Sequence, residues 1–118
     1  MEKRNPAGST DTCVIYSTVP PARSSDLTER LLGKGLVACV NITPVRSLYL
    51  WKGESCDEEE HLLIMKTRTD HAETVIRVLK EMHPYEVPEI IVLPVIAGYG
   101  PYLAWMREQT GTGPAGRL

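Results

Sequence analysis

The sequence predicts an α+β domain with elements in the order β-α-β-β-α-β and one further helix at the end. Two apolar runs, Thr12–Val19 and Leu62–Thr67, are typical of strands that are buried on both faces. Two stretches with apolar residues at helical spacing lie between the strands, and one long hairpin joins the second strand to the third. With right-handed crossovers for both βαβ units, this order gives the split-βαβ, ferredoxin-like sandwich, whose first and third strands are central.

Length, charge and cysteine content exclude several classes of protein. A chain of 118 residues forms one domain. Its net charge of −2 argues against a nucleic-acid partner, because no basic stripe is present to replace the counterions of phosphates. No apolar run approaches the ~20 residues of a membrane span, and no signal peptide is visible. The three cysteines lack metal-type spacing, so we expect a reduced, cytoplasmic protein.

The first helix follows the first strand after Pro20 and Pro21, and two starts are consistent with the sequence. Ser25 or Asp26 can cap the helix, since Asp26 and Glu29 have the spacing of a capping box. A start at Pro21 is equally consistent, because proline favours the first helical position. Gly35 occupies the position of a C-terminal cap glycine. The apolar side of this helix comprises Leu27, Leu31 and Leu32.

The central feature of the chain is a hairpin with arms Val37–Trp51 and Glu54–Thr69, joined by a turn at Lys52-Gly53. Arms of this length reach about 45–50 Å at roughly 3.3 Å per residue. The domain itself has a predicted diameter of only about 35 Å. The hairpin tip is apolar on both faces, with Leu48 and Leu50 on one face and Tyr49 and Trp51 on the other. We therefore expect other subunits to cover it.

A second amphipathic helix follows the hairpin. Asp70 and Glu73 have the spacing of a second capping box, and Pro84 ends the helix at His83. The apolar face of the helix comprises Val75, Ile76, Val78, Leu79 and Met82.

The C-terminal part completes the predicted domain, which spans residues 11–109. Ile90–Leu93 is a fourth strand, and residues 94–99 could add a short fifth. The last helix covers Tyr102–Gln109, after Pro101. Residues 1–10 are predicted to form a flexible arm, and residues 110–118 a disordered tail.

Several motifs in this order resemble those of the CutA divalent-cation-tolerance proteins. They are Ala38–Ile42 with Pro44, Ser47-x-Tyr49-x-Trp51-x-Gly53, Lys66-Thr67, His83-Pro-Tyr-Glu-x-Pro-Glu89-Ile90 and Tyr102-Leu-x-Trp105. The resemblance covers residues 12 to 107. It implies a homotrimer whose long hairpins reach across neighbouring subunits, similar to the PII signalling proteins.

The resemblance also directs attention to a metal. Some members of the family are described as binding copper through a cysteine that ends the first strand and a His-His pair before Pro-Tyr. The matching positions here are Ser17, Met82 and His83, so two of the three ligands are altered. His83 is the best candidate ligand for copper or another divalent cation, and the Met82 thioether favours Cu(I). The alternative is that His83 caps its helix and binds no metal.

Other groups that attract attention have simpler interpretations. Cys39 lies among apolar neighbours, which favours a core role over a reactive thiol. The run Glu58–His61 resembles a metal cluster, but alternate residues of a strand face opposite sides, so a solvated charge run is favoured. His71 falls in a first helical turn and is expected at the surface.

A further group of residues combines aromatic rings, a cation and a carboxylate. The family-type trimer is expected to bring these positions to clefts between subunits, near His83. They could form a small-ligand pocket, although Tyr and Trp are enriched in ordinary interfaces as well. The group comprises Lys66, Tyr49, Trp51, Glu89, Tyr102 and Trp105.

Two functional hypotheses follow. The first is a non-enzymatic homotrimer involved in tolerance to divalent metal ions, with weak copper binding near His83. It depends on the family resemblance. The second is a PII-like signalling or scaffold trimer that binds a small anionic metabolite or a partner protein in the clefts. No arrangement of nucleophile and base with plausible spacing favours an enzyme.

Overall fold

A computed structural model describes residues 10–111 and contains one antiparallel sheet and three α-helices. The elements follow the predicted β-α-β-β-α-β order with a terminal helix. A 3-10 turn precedes each of the first two helices, at Pro21–Arg23 and Thr69–His71. The elements are β1 (Thr12–Val19), α1 (Ser24–Gly33), β2 (Cys39–Trp51), β3 (Glu54–Arg68), α2 (Ala72–Met82), β4 (Ile90–Pro94) and α3 (Gly100–Gln109).

The strands lie in the order β2-β3-β1-β4, so β1 and β3 are central as predicted from their apolar runs. All three neighbouring pairs are antiparallel. One row across the sheet joins Ile15 to Met65 on one side and to Val92 on the other. The order is that of the split-βαβ sandwich, since each βαβ unit leaves room for one strand between its own two.

One face of the sheet packs against α1 and α2 and forms the core. Ile15 and Met65 of the central strands meet Leu27 and Leu31 of α1, all fully buried. Helix α2 turns a strongly apolar side to the same core, as its spacing predicts. Its buried residues are Ala72, Val75, Val78 and Leu79.

The opposite face of the sheet is covered at one end by α3, which packs against β3 and β1. Val40 packs against the core, so its neighbour Cys39 points to this opposite face. Tyr102 of α3 interacts with the Cys39 side chain, which places α3 there. Leu103 and Met106 are the buried residues of α3. The remainder of this face, which we call the open face, carries the hairpin arms.

The hairpin has the predicted turn, and its first arm begins at Cys39, two residues later than predicted. Lys52 has φ of 52° and Gly53 of 82°, as a type I′ turn requires. The described chain measures 51 Å along its longest axis and 30 Å across. At the tip, Leu48 is 66% exposed and Leu50 is 75% exposed.

Three local expectations are wrong. Neither capping box forms, because a 3-10 turn leads into each helix and no side chain caps it. Asp26 instead accepts a hydrogen bond from Arg23 at 3.2 Å, and Asp70 pairs with Arg68 at 2.7 Å. Residues 95–99 form no strand, although the Val95 N–H donates to the Thr12 carbonyl at 3.1 Å.

The predicted arm and tail lie outside the described residues, except for residues 10, 110 and 111. Within residues 10–111, none of the helices has the length and apolar character needed to cross a membrane.

Candidate functional site

A cavity of about 770 Å³ opens on the open face, between the hairpin and the loop that follows α2. The hairpin contributes residues 46–49 and Trp51 from its first arm and alternate residues from its second, and the loop contributes residues between Tyr85 and Glu89. The residues lining it are Thr18, Arg46, Ser47, Leu48, Tyr49, Trp51, Cys56, Glu58, Glu60, Tyr85, Glu86, Val87 and Glu89.

Strand register explains why these side chains converge. In β2 and β3, Tyr49 lies opposite Cys56, and Ser47 lies opposite Glu58. Residues two apart along a strand point to the same face, so Glu58 and Glu60 both face the cavity. Pro84 ends α2 and turns the chain so that Tyr85 lies over the same face.

Two tyrosine–glutamate hydrogen bonds organise the cavity wall. The Tyr49 hydroxyl donates to Glu58 Oε1 at 2.7 Å, and the Tyr85 hydroxyl donates to Glu60 Oε2 at 2.7 Å. The bond to Glu58 raises the pKa of Tyr49. Burial, followed by the bond to Glu60, raises the pKa of Tyr85. Both phenols therefore keep their protons at neutral pH and donate them to carboxylates.

The cavity is strongly acidic. Among the described residues, none of its four glutamates forms an ion pair with a lysine or arginine; they are Glu58, Glu60, Glu86 and Glu89. The one basic lining residue is Arg46, which donates two hydrogen bonds to Asp57, at 3.0 and 2.7 Å. Glu60 is only 5% exposed. The wall therefore concentrates uncompensated negative charge.

His83 lies beside this cavity, and both nitrogens of its ring are occupied. Nε2 donates to the Thr18 carbonyl at 2.9 Å, and Nδ1 accepts the Tyr85 N–H at 3.2 Å. Burial lowers the pKa of His83, which keeps the ring neutral. The backbone N–H of His83 donates to the Leu79 carbonyl at 2.8 Å and ends α2. A metal ion fits this ring poorly, since no nitrogen lone pair is free to bind it.

The other two positions of the family copper site do not supply ligands here. Ser17 is fully buried on the face that packs against the helices, and its hydroxyl has no partner among the described residues. Met82 is partly buried against the core. Among residues 10–111, no group of three or more His, Cys, Asp or Glu side chains is placed to hold a metal ion.

Within one subunit, three of the six residues of the predicted cleft line the cavity and the other three do not. Tyr49, Trp51 and Glu89 line the cavity. Lys66 lies elsewhere on the open face and donates a hydrogen bond to Asn41. The rings of Tyr102 and Trp105 on α3 lie 5.4 Å apart, centroid to centroid. Their meeting across subunits stays a prediction.

Two of the most important lining residues, Glu60 and Tyr85, were not predicted as site residues from the sequence. Glu60 was expected in a solvated charge run, but the Tyr85 loop covers it and leaves it nearly buried. Alternation in β3 already places Glu58 and Glu60 on the face of Tyr49, and this signal could have identified the pair. Nothing in the sequence shows that Tyr85 folds over Glu60.

Comparison with known proteins gives consistent matches over most of the chain. A family model described as "CutA1 divalent ion tolerance protein" matches residues 13–109. The divalent-cation tolerance protein CutA of Thermus thermophilus is 41% identical over 100 residues, which is 83% of this chain and 97% of that protein. The protein of the same name from Yersinia pestis is 37% identical over 109 residues, 91% of this chain and 92% of that protein.

Solved structures agree with these matches. The apo form of the PII-like protein CutA from Nostoc sp. PCC 7120 superposes with a TM-score of 0.81 at 36% identity, covering 84% of this chain and 97% of that one. CutA1 from Oryza sativa superposes with a TM-score of 0.84 at 35% identity, covering 90% and 99%. The motifs, the fold and these matches lead to one conclusion: the chain belongs to the CutA1 divalent ion tolerance family.

Proposed function

We propose that the protein is a non-enzymatic, cytoplasmic homotrimer that contributes to tolerance of divalent metal ions. The observation that carries this proposal is the family match over residues 13–109. The acidic cavity supports it, because uncompensated carboxylates attract cations of any kind.

The trimer is supported by apolar surface that one subunit leaves exposed. Leu48, Leu50 and Val87 are each about two-thirds or more exposed, and Ile91 and Leu93 of β4 are also exposed. Exposed apolar groups of this extent are typical of surfaces that bind another chain. The hairpin projects beyond its own domain, as expected for an arm that reaches a neighbour.

Copper binding near His83 is proposed as weak. An ion that binds Nδ1 displaces the hydrogen bond from the Tyr85 N–H, and an ion that binds Nε2 displaces the bond to Thr18. Each lost hydrogen bond costs about 0.5–1.5 kcal/mol. The loop from His83 to Glu89 therefore has to open before the ring can bind a metal.

The proposal is tested by growth and by metal uptake. A bacterial strain that lacks its own family member is complemented with the wild type and challenged with rising copper and zinc; we expect restored growth. Equilibrium dialysis of the purified protein should show weak copper uptake that His83→Ala reduces. His61→Ala is the control, because His61 lies outside the loop and contacts Ser24. Failure to restore growth would contradict the tolerance function, and equal uptake by His83→Ala would contradict the His83 site.

A second candidate function is binding of a small molecule or a partner group, as in a PII-like sensor. The cavity itself favours it, since about 770 Å³ falls in the ~300–1,000 Å³ range of ligand pockets. The anionic class expected from Lys66 requires a cleft completed by a second subunit, because Lys66 does not line the cavity of its own subunit.

A further inference from the structure

We propose that the cavity binds a small organic cation, a primary amine or guanidinium carried on an aromatic or apolar body. This inference rests on the second candidate function, ligand binding in the cavity, and adds the chemical class of the ligand.

The first argument is a carboxylate oxygen of Glu60 that accepts no hydrogen bond from residues 10–111. Glu60 is about nineteen-twentieths buried, and Oε2 accepts the Tyr85 hydroxyl. Oε1 of Glu60 has no hydrogen-bond partner among residues 10–111. Oε1 is not one of the fully buried, unpaired atoms of the described residues, so it is accessible from the cavity that Glu60 lines and offers a cation a charged acceptor. Glu58 lies two residues along the same face and adds a second negative charge. A bound cation would compensate both.

The second argument concerns the type of group that the wall offers. The protons of Tyr49 and Tyr85 are committed to Glu58 and Glu60, so each phenol presents oxygen lone pairs to the cavity. The guanidinium of Arg46 is committed to Asp57. The wall is therefore rich in acceptors and poor in free donors. Ammonium and guanidinium groups donate hydrogen bonds and accept none, which is the complement of this wall.

The third argument is the aromatic lining. Tyr49, Trp51 and Tyr85 present ring surface, together with Leu48 and Val87. Aromatic faces attract cations, and the Lys52 ammonium already lies 5.5 Å from the centre of the Trp51 ring. An apolar or aromatic body on the ligand would pack on the same residues, while the cationic group reaches Glu60.

An inorganic ion is a weaker match. Within residues 10–111, no three acidic, histidine or cysteine side chains converge closely enough to hold a metal ion.

The test is calorimetric titration of the full-length protein with three probes that share a phenylethyl group and differ in charge: 2-phenylethylamine, 2-phenylethanol and 3-phenylpropionate. We expect the amine to bind at least tenfold more tightly than the alcohol or the acid. Glu60→Gln keeps an acceptor for Tyr85 but removes the charge, and we expect it to weaken amine binding at least tenfold. The matched control is Glu59→Gln, which removes the same charge from the neighbouring residue on the opposite face.

Each other outcome overturns a defined part of the proposal. Tighter binding of 3-phenylpropionate would overturn the cationic class but retain ligand binding in the cavity. No binding of any probe would overturn the inference but would leave the second candidate function, with an anion or a partner group as the ligand of the completed cleft. Equal losses in Glu59→Gln and Glu60→Gln would show a general charge effect and overturn the assignment to Glu60. Displacement of the amine by millimolar Ca²⁺ would assign the cavity to inorganic ions.

Discussion

His83 shows how one residue can suit two functions in a sequence and only one in the folded chain. Its position between a helix end and a proline is suitable for a metal ligand. In the structure, the ring instead links β1 to the loop after α2, through Thr18 and the Tyr85 N–H. This linkage needs the neutral ring, because a protonated Nδ1 could no longer accept the Tyr85 hydrogen bond.

A pH dependence of stability follows from this linkage. Burial lowers the pKa of His83 in the folded chain below the ordinary value of about 6.5. As the pH falls through that value, the unfolded chain takes up a proton before the folded chain does, so folding stability decreases. We expect the free energy of unfolding in guanidinium to fall between pH 7.5 and 5.5, and to fall less in His83→Gln. Equal slopes for the two proteins would contradict this role of His83.

At the scale of elements, two glycines allow the energetic cost of the turn conformation to be measured. One lies in the hairpin turn and the other at the end of α1. Gly53 has φ of +82°, whereas Gly33 lies at the end of α1 with ordinary helical geometry. A Cβ added at either position meets no atom within 4 Å, so only backbone conformation distinguishes them. Gly53→Ala should lower the free energy of unfolding by about 1–2 kcal/mol, the cost of the left-handed conformation. Gly33→Ala should raise it by about 0.4–1 kcal/mol.

The two variants are compared by chemical unfolding at one protein concentration, because association contributes to apparent stability. Similar effects of the two substitutions would show that the turn does not require its glycine.

The hairpin, its turn and the two central strands could be predicted because their signals are local. Thr12–Val19 is a continuous apolar run, and Lys52-Gly53 is a turn signal between two strand patterns. The helix starts could not be predicted in the same way. Each helix begins after a 3-10 turn, and the second of these turns buries His71 against the Leu36 carbonyl, at 3.3 Å. His71 was expected at the surface, and only tertiary packing places it inside.

At the scale of the whole molecule, the candidate site also combines contacts that local sequence signals predict with contacts that depend on tertiary packing. The Tyr49–Glu58 pair is cross-strand and follows from hairpin register, so the sequence contains the information needed to find it. The Glu60–Tyr85 pair joins β3 to a loop 25 residues away and depends on how that loop packs. Lys66, Tyr102 and Trp105 do not line the cavity of their own subunit. Only a neighbouring subunit could bring these three residues to it, and assembly is not predictable from local sequence signals.

Assembly is the property of the whole molecule on which these clefts depend. Light scattering after gel filtration should give about three times the 13.1 kDa mass of the chain. Leu50 at the hairpin tip is 75% exposed in one subunit, and Leu32 on α1 is 43% exposed. If the tip packs on a neighbour, Leu50→Glu buries a charge in the interface and should shift the protein toward lower mass at micromolar concentration.

Leu32→Glu introduces the same charge on the helical side of the subunit and should leave the mass unchanged. A monomeric wild type would overturn the trimer, and a full trimer in Leu50→Glu would show that the tip lies outside the interface. The expected pattern, loss of mass with Leu50→Glu alone, would mean that the apolar tip of the hairpin is selected for contact with a neighbour. The open face that carries Tyr49, Glu58 and Glu60 would then lie beside a subunit boundary, where a second chain can complete or close the cavity.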